Sequence, residues 1–411
     1  MAQLKLLSGM ANRKLRVGIA CNIRKGSTAE VGARPKAEPE AETEAEAEFD
    51  DPETVGAIRD ALQSGRLEVG GGEADDAEVD RIVADGIATA APAPQFNGIE
   101  ASILEADAGF LMQLQAFAPD IVFNIAEGRT GRSREAQIPA LMEYYGIPYT
   151  GSDATALAVS LDKAMTKRIA QSCGLQTPGF CVITQEAGAT AAAAARLPRP
   201  VASPHATAQP ADQLADLTFP LLVKPNAEGS SKAIADDCVA ESPSQLRALL
   251  TRQKANTPGD LLVEEYIDGR EFTVGILGHG AGLRVLEPME VVYRQLRGAY
   301  KIYSLEVKRH YHDYISYACP PDLPAPLASQ LKDDAQTIYT ALGCRDLCRL
   351  DFRLSTDGQL FFIEANPLPG LAPGYSDLPI MAAANGIAYS DLILAVLASA
   401  LQRYGMKAVQ K

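Results

Sequence analysis

Apolar and polar positions along this chain repeat with two periods. Residues 15–21 form a nearly unbroken apolar run, the pattern of a strand covered on both faces in a parallel sheet. The spacing predicts a helix over 98–117, a strand over 121–124, a helix over 135–145 and a further strand from residue 146. One long helix is predicted over 153–173, stopped by Gly174, because glycine readily takes the left-handed conformation that ends helices. Residues 327–342 and 390–403 also recur at helical spacing. Between those two stretches the period changes to two. Residues 349–354 and 360–366 alternate about Asp357-Gly358, which predicts a β-hairpin.

Two stretches interrupt the pattern. Residues 34–52 run Pro, Ala and Glu, with Glu38, Glu40, Glu42, Glu44, Glu46 and Glu48 at alternate positions. Repelling like charges with little apolar surface predict disorder or a frayed helix, and residues 36–48 are expected to be dispensable for activity. Residues 186–213 are Ala- and Pro-rich and read as an inserted loop. At 411 residues the chain is long enough for two or three domains with their own cores. No apolar run approaches the roughly 20 residues of a membrane helix, and the start lacks a secretory pattern, so a cytoplasmic protein is expected. A net charge of −14 argues against nucleic acid or an anionic membrane as partner. Seven cysteines without a Cys-x-x-Cys read as reduced thiols, and four histidines show no zinc spacing.

The chemistry concentrates on the hairpin. Side chains alternate along a strand, so Glu364 and Asn366 share a face and Asp351 meets them across the ladder. Two carboxylates and an amide are hard oxygen ligands of the kind Mg²⁺ prefers, especially when nucleotide phosphates complete its shell. The plainer alternative is an acidic hairpin in solvent. Upstream, the apolar strand Leu221-Leu222-Val223 ends at Lys224, and Glu228-Gly229-Ser230-Ser231 follows soon after. Such a loop can offer N–H groups and hydroxyls to phosphate oxygens, with lysine as a mobile charge, although it is equally the sequence of an ordinary turn. The segment from Glu264 to Val274 then ends one strand in acids, turns at Asp268-Gly269 and restarts at Glu271. Carboxylates there can accept from an adenine amine or ribose hydroxyls.

The ordered set Ser160-Leu161-Asp162-Lys163, Val223-Lys224-Pro225, Glu228-Gly229-Ser230-Ser231, Glu264 through Val274, Arg349-Leu350-Asp351-Phe352 and Glu364-Ala365-Asn366 resembles the ATP-grasp superfamily, and within it the D-alanine–D-alanine ligase family. The resemblance implies an α/β and α+β, three-domain ATP-grasp fold with an amino-terminal parallel sheet. It divides the chain at 1–150, 151–260 and 261–411. It implies ATP and Mg²⁺ as cofactors, two ions, with Mn²⁺ as a substitute, and a ligase joining a small-molecule carboxylate to an amino-acid-like amine. Lys163, Lys224, Glu228, Gly229, Ser230, Ser231, Glu264 and Glu271 are then expected at ATP, and Asp351, Glu364 and Asn366 at the metal. Arg349, Lys308 and Ser230 are expected to serve catalysis. For Arg349 the alternative is a salt bridge to a metal-site acid. A homodimer is the family's habit.

Departures fall on the substrate side. Glu127 stands where the family usually has histidine, and Arg129, Arg132 and Arg134 follow it. Guanidinium groups pair well with carboxylates, which makes this loop a candidate for substrate recognition; a solvated basic loop is the alternative. Lys308 is retained from the family's substrate loop without its tyrosine partner, Ala233 replaces a glycine, and the first strand leads to no comparable glutamate. Ser376 is the nearest match to the serine that holds the acceptor carboxylate. These departures favour substrates other than two D-alanines. A true D-alanine–D-alanine ligase and a non-catalytic ATP-binding regulator remain the alternatives.

Overall fold

Arg13–Cys21 lies at the centre of a three-stranded parallel sheet, between Phe96–Glu105 and Ile121–Asn124. This computed structural model describes residues 13–24, 48–65, 67–68, 96–184, 214–229, 237–256, 259–406 and 409–410. The Ala/Pro-rich stretch and the acidic stretch up to residue 47 lie outside the described residues.

The expected helix over 98–117 divides into the strand Phe96–Glu105 and the helix Phe110–Phe117. Ile99, Ala101 and Ile103 alternate onto one core, whereas Leu104 enters another. β-Branched isoleucine favours a pleated, half-buried surface, and a short apolar run does not by itself separate strand from helix. Pro52–Ser64 is a helix with proline in its first turn, and the Asp51 carboxylate caps it by accepting from Thr54 N–H. Its Val55, Ile58 and Leu62 share one core with Leu15, Val17 and Ile19 of the sheet and Leu392, Val396 and Leu397 of the helix Tyr389–Arg403. The carboxyl-terminal helix therefore closes the amino-terminal domain. The other sheet face is covered by Phe110, Leu114 and Met142 from the helices Phe110–Phe117 and Gln137–Tyr145. Beyond residue 146, among the described residues, only a bridge from Tyr149 to Val122 continues this sheet.

The single helix expected over 153–173 is two, Ala154–Leu161 and Lys163–Ser172. Asp162 breaks it with an extended backbone, and its carboxylate accepts from Met165 N–H. An aspartate that can cap competes with helix continuation. The break puts Lys163 at the first position of the second helix.

A smaller antiparallel sheet follows, in the order Phe180–Ile183, Leu261–Glu265, Leu221–Pro225 and Val239–Ala240. The helix Pro243–Asn256 covers it with Leu246, Leu249 and Leu250. The strand Leu261–Glu265, expected to open the last domain, is paired inside this sheet instead. The larger antiparallel sheet orders Ile315–Ala318, Met289–Tyr293, Gly269–Leu277, Leu347–Ser355 and Leu360–Asn366. Leu331, Ala335 and Ile338 of the helix Ala325–Ala341 pack on Phe272, Leu350, Phe352 and Phe362. Burying one such leucine or phenylalanine side chain contributes about 1.5–3 kcal/mol. In the hairpin, Asp351 pairs with Glu364 and Arg349 with Asn366. The alternation that sends Leu350 and Ala365 into the core leaves those four polar side chains on the opposite face.

Candidate active site

Both antiparallel sheets and the amino-terminal domain border one cavity of about 460 Å³. This size suits a small-molecule site, for which about 300–1,000 Å³ is usual. Lys224, Gly229 and Glu264 reach it from the smaller sheet, and Arg349, Asp351, Glu364 and Asn366 from the hairpin.

Asp351 is the hub of the hairpin face. Its Oδ1 accepts from Thr273 Oγ1 at 2.8 Å and Arg349 Nε at 3.1 Å; its Oδ2 accepts from an Arg349 terminal nitrogen and Asn366 Nδ2, both at 3.0 Å. Four donors fill the roughly four acceptor positions of a carboxylate. Arg349 also lies 3.5 Å from Asp377, which accepts from Tyr317 Oη at 2.9 Å. Burial opposes the charge of Arg349, but Asp351 and Asp377 outweigh it and hold the guanidinium protonated. Burial likewise opposes ionisation of Glu364, yet Lys163, Lys224 and Arg349 outweigh it and bring its pKa down to about 2. The salt bridge given as the alternative role of Arg349 is therefore present, on a face that also borders the cavity.

The donor chemistry suits a hard divalent cation, because Asp351, Glu364 and Asn366 offer only oxygen ligands once Asn366 turns its carbonyl inward. Among the described residues no three His, Cys, Asp or Glu side chains form a group that could hold a metal ion without help. Ligand oxygens must complete the shell, as nucleotide phosphates do for Mg²⁺.

On the opposite wall Lys224 Nζ lies 2.6 Å from Glu264 Oε1, and Lys167 Nζ lies 2.9 Å from Glu264 Oε2. Lys167 is fully buried and also donates to Thr177 Oγ1 at 3.0 Å. Burial lowers its pKa to about 8, against the pull of Glu264. Glu264 itself is brought down to about 2, since the two lysines outweigh its burial. Its carboxylate bridges the two lysines. The sequence gives Lys167 no role of its own, although it closes the matched segment Ser160–Lys167 and lies four residues from Lys163, on the same helix face. Lys163 Nζ donates to the Glu228 carbonyl at 2.6 Å and lies 3.5 Å from Glu364. Ser230 and Ser231 lie outside the described residues. Glu271 lines the cavity and accepts from Tyr293 Oη at 2.9 Å and from buried Arg353 at 3.2 Å. Lys308 also lines it, its pKa lowered first by burial and then by Arg349. Ser376 borders the cavity too, and its Oγ accepts from Ala372 N–H at 3.1 Å.

The arginine loop does not present three guanidinium groups to the cavity. Arg129 is exposed, and its backbone N–H donates to Gln137. Arg132 pairs with Asp162, the cap of the Lys163 helix, and its side chain is 71% exposed. Arg134 is buried, donating to both Glu48 carboxylate oxygens at 2.8 and 2.9 Å and to the Ala227 carbonyl at 2.9 Å. Glu228 adds a further carboxylate at 3.5 Å. The tight loop needs Gly128, whose φ is +76° and whose added Cβ would lie 2.0 Å from the Arg134 carbonyl oxygen. Arg134 is thus neutralised from within, by a glutamate 86 positions away that composition alone marked as dispensable. Glu48 also accepts from Gly229 N–H at 2.7 Å, which ties the end of the acidic stretch to the phosphate-type loop. Glu127 and Glu135 line the same end of the cavity.

A family model described as the D-ala D-ala ligase C-terminus matches residues 183–398. The chain is 31% identical over 350 residues to a D-alanine–D-alanine ligase of Cupriavidus metallidurans, covering 85% of this chain and 93% of that protein. It is 33% identical over 303 residues to one of Bordetella pertussis, covering 74% and 85%. Among solved structures it resembles the D-alanine–D-alanine ligase of Bacillus anthracis complexed with ATP, with a TM-score of 0.61 at 20% identity over 95% of this chain and 99% of that one. The VanG D-Ala:D-Ser ligase of Enterococcus faecalis gives a TM-score of 0.60 at 17% identity, over 94% and 100%. The chain belongs to the D-alanine–D-alanine ligase family and is an ATP-dependent ligase, built on the ATP-grasp fold, that forms carbon–nitrogen bonds.

Proposed function

We propose that this ligase joins a substrate carboxylate to an amine through an acyl phosphate, and that its substrates are not two D-alanines. One observation carries the reading. Lys224, Arg349, Asp351, Glu364 and Asn366 share a cavity whose other end is built from Glu127, Glu135 and the Glu48–Arg134 pair.

A carboxylate is a poor acyl donor because its oxide leaving group is too basic. In the proposed reaction a carboxylate oxygen takes the γ-phosphoryl group of ATP, and ADP departs. The amine, having lost a proton, then attacks the acyl carbon, and inorganic phosphate leaves with the former carboxylate oxygen. Lys163 and Lys224 supply positive charge at the phosphates, each already held in place by an acidic or carbonyl partner. Two divalent ions, held by Asp351, Glu364 and Asn366, would lower the phosphate charge. Arg349 stands beside Asp351 and can offer a guanidinium edge to developing negative charge. Lys308, whose ammonium is weakened by burial, and Ser376 lie where they can orient the acceptor.

A specific observation favours the second reading, a D-alanine–D-alanine ligase: relatives at 31% identity over most of the chain carry that name. Phosphate release from ATP, measured across L- and D-amino acids singly and in pairs with mass spectrometry of the products, separates the two. The proposal expects background release with D-alanine alone and turnover with another acid–amine pair. Efficient formation of the D-alanine dipeptide contradicts it.

A further inference from the structure

The amino-terminal end of the cavity is richer in carboxylates than phosphate or amide chemistry needs. Glu48, Asp50, Glu127 and Glu135 all line it. Arg134 is committed to Glu48, and Arg24, the other guanidinium there, donates to the Phe49 carbonyl. Glu135 is only 8% exposed and borders the cavity, yet no hydrogen bond or ion pair reaches its carboxyl group among the described residues. The half-buried Glu127 also lines this end, and no hydrogen bond or ion pair reaches its carboxyl group among the described residues. A buried acceptor without a donor costs about 1–3 kcal/mol, more when charged, so Glu135, with half-buried Glu127 beside it, marks a place for a ligand that brings donors.

Resting on the ligase reading above, we infer that Glu127 and Glu135 form a subsite for a second ammonium group, so that one substrate is a diamino acid or comparable amine with two cationic centres. An ammonium brings three donors and no acceptor, matching carboxyl oxygens that lack donors. One α-ammonium balances a single negative charge, which leaves the remaining carboxylates uncompensated; a second one balances the next. A divalent metal fits less well, because the described residues include no metal-type group of three acids. The electrostatics agree. Burial raises the pKa of Glu135 to about 7 and also raises that of Glu127, and Asp50 rises to about 7 for the same reason. A bound cation relieves each of those penalties.

The test compares ornithine with norvaline, which has the same stem without the terminal ammonium. Both enantiomers are offered to the full-length protein with ATP and Mg²⁺ and a panel of second amino acids, reading phosphate release. Binding of each is measured by calorimetry in parallel. The inference expects ornithine to exceed norvaline about tenfold or more in kcat/KM and in affinity. Glu135→Gln is expected to erase that ratio while leaving the KM for ATP within about twofold; Glu127→Gln serves if the first variant does not fold. Equal use of the two, or an unchanged ratio in the folded variants, overturns the inference and leaves the ligase reading standing. Selective binding of ornithine without any phosphate release overturns the ligase reading and keeps the subsite. Neither binding preference nor release overturns both.

Discussion

Glu364→Gln lowers ATP-dependent phosphate release by roughly 10²–10³-fold, the scale of losing one preorganised electrostatic contact at a transition state. The change keeps the shape of the side chain and removes one of the two carboxylates on the hairpin face. The change also costs some stability, because the Glu364 carboxylate balances Lys163 at 3.5 Å together with Lys224 and Arg349. The melting temperature should therefore fall, while the protein stays folded at the assay temperature. Steady-state kinetics over a Mg²⁺ titration, with a thermal melt alongside, check the expectation. Activity close to that of the parent removes Glu364 from the metal assignment, whatever the melt shows.

Glu264→Ala acts on stability as well as activity. Glu264 and Lys167 are almost wholly buried, and Lys224 nearly so, with side-chain exposures of 3%, 0% and 5%. Removing the shared carboxylate leaves two lysines in a low-dielectric site, and breaking a buried pair in this way costs about 3–5 kcal/mol. The pH dependence has a definite sign. Glu264 has its pKa brought from 4.5 down to about 2 in the folded protein, so its contribution is complete above pH 4.5 and fades as pH falls towards 2. The variant should lack that part of the acid limb. Lys167 is already lowered from 10.5 to about 8 and falls further without its counter-charge. The unfolded chain then binds more protons than the folded one, so the variant gains stability as pH rises towards 10.5, over a window that starts below the value of about 8 that holds in the parent. Urea unfolding at several pH values measures both limbs. An unchanged midpoint at neutral pH contradicts the buried triad.

Much of this was legible because periodicity and turn chemistry act locally. Asp357-Gly358 set the hairpin register, Gly358 takes a φ of +87°, and Asp351 meets Glu364 as the alternation requires. The failures share a different cause, competition between local options or partners distant in sequence. Asp162 caps a new helix where apolar spacing alone continued the old one. Ile99, Ala101 and Ile103 suit either period, and pairing with Arg13–Cys21 decides for the strand. The arginine loop was read by its charge, but Arg132 is bound by Asp162 and Arg134 by Glu48, so the expected carboxylate clamp does not form. Composition marked residues 36–48 as dispensable, yet Glu48 at the end of that stretch pairs with buried Arg134. Neither Lys167 under Glu264 nor Arg353 beside Glu271 is announced by any motif of its own.

The most direct measurement of the central claim follows oxygen. With the acid–amine pair that supports turnover, the acid is labelled with ¹⁸O in its carboxylate and the released phosphate is analysed by mass spectrometry. The account predicts one ¹⁸O transferred to phosphate for each amide formed, because the oxygen that takes the phosphoryl group leaves with it. Phosphate without label, alongside amide formation, contradicts the acyl phosphate and with it the roles assigned to Arg349, Asp351 and Glu364.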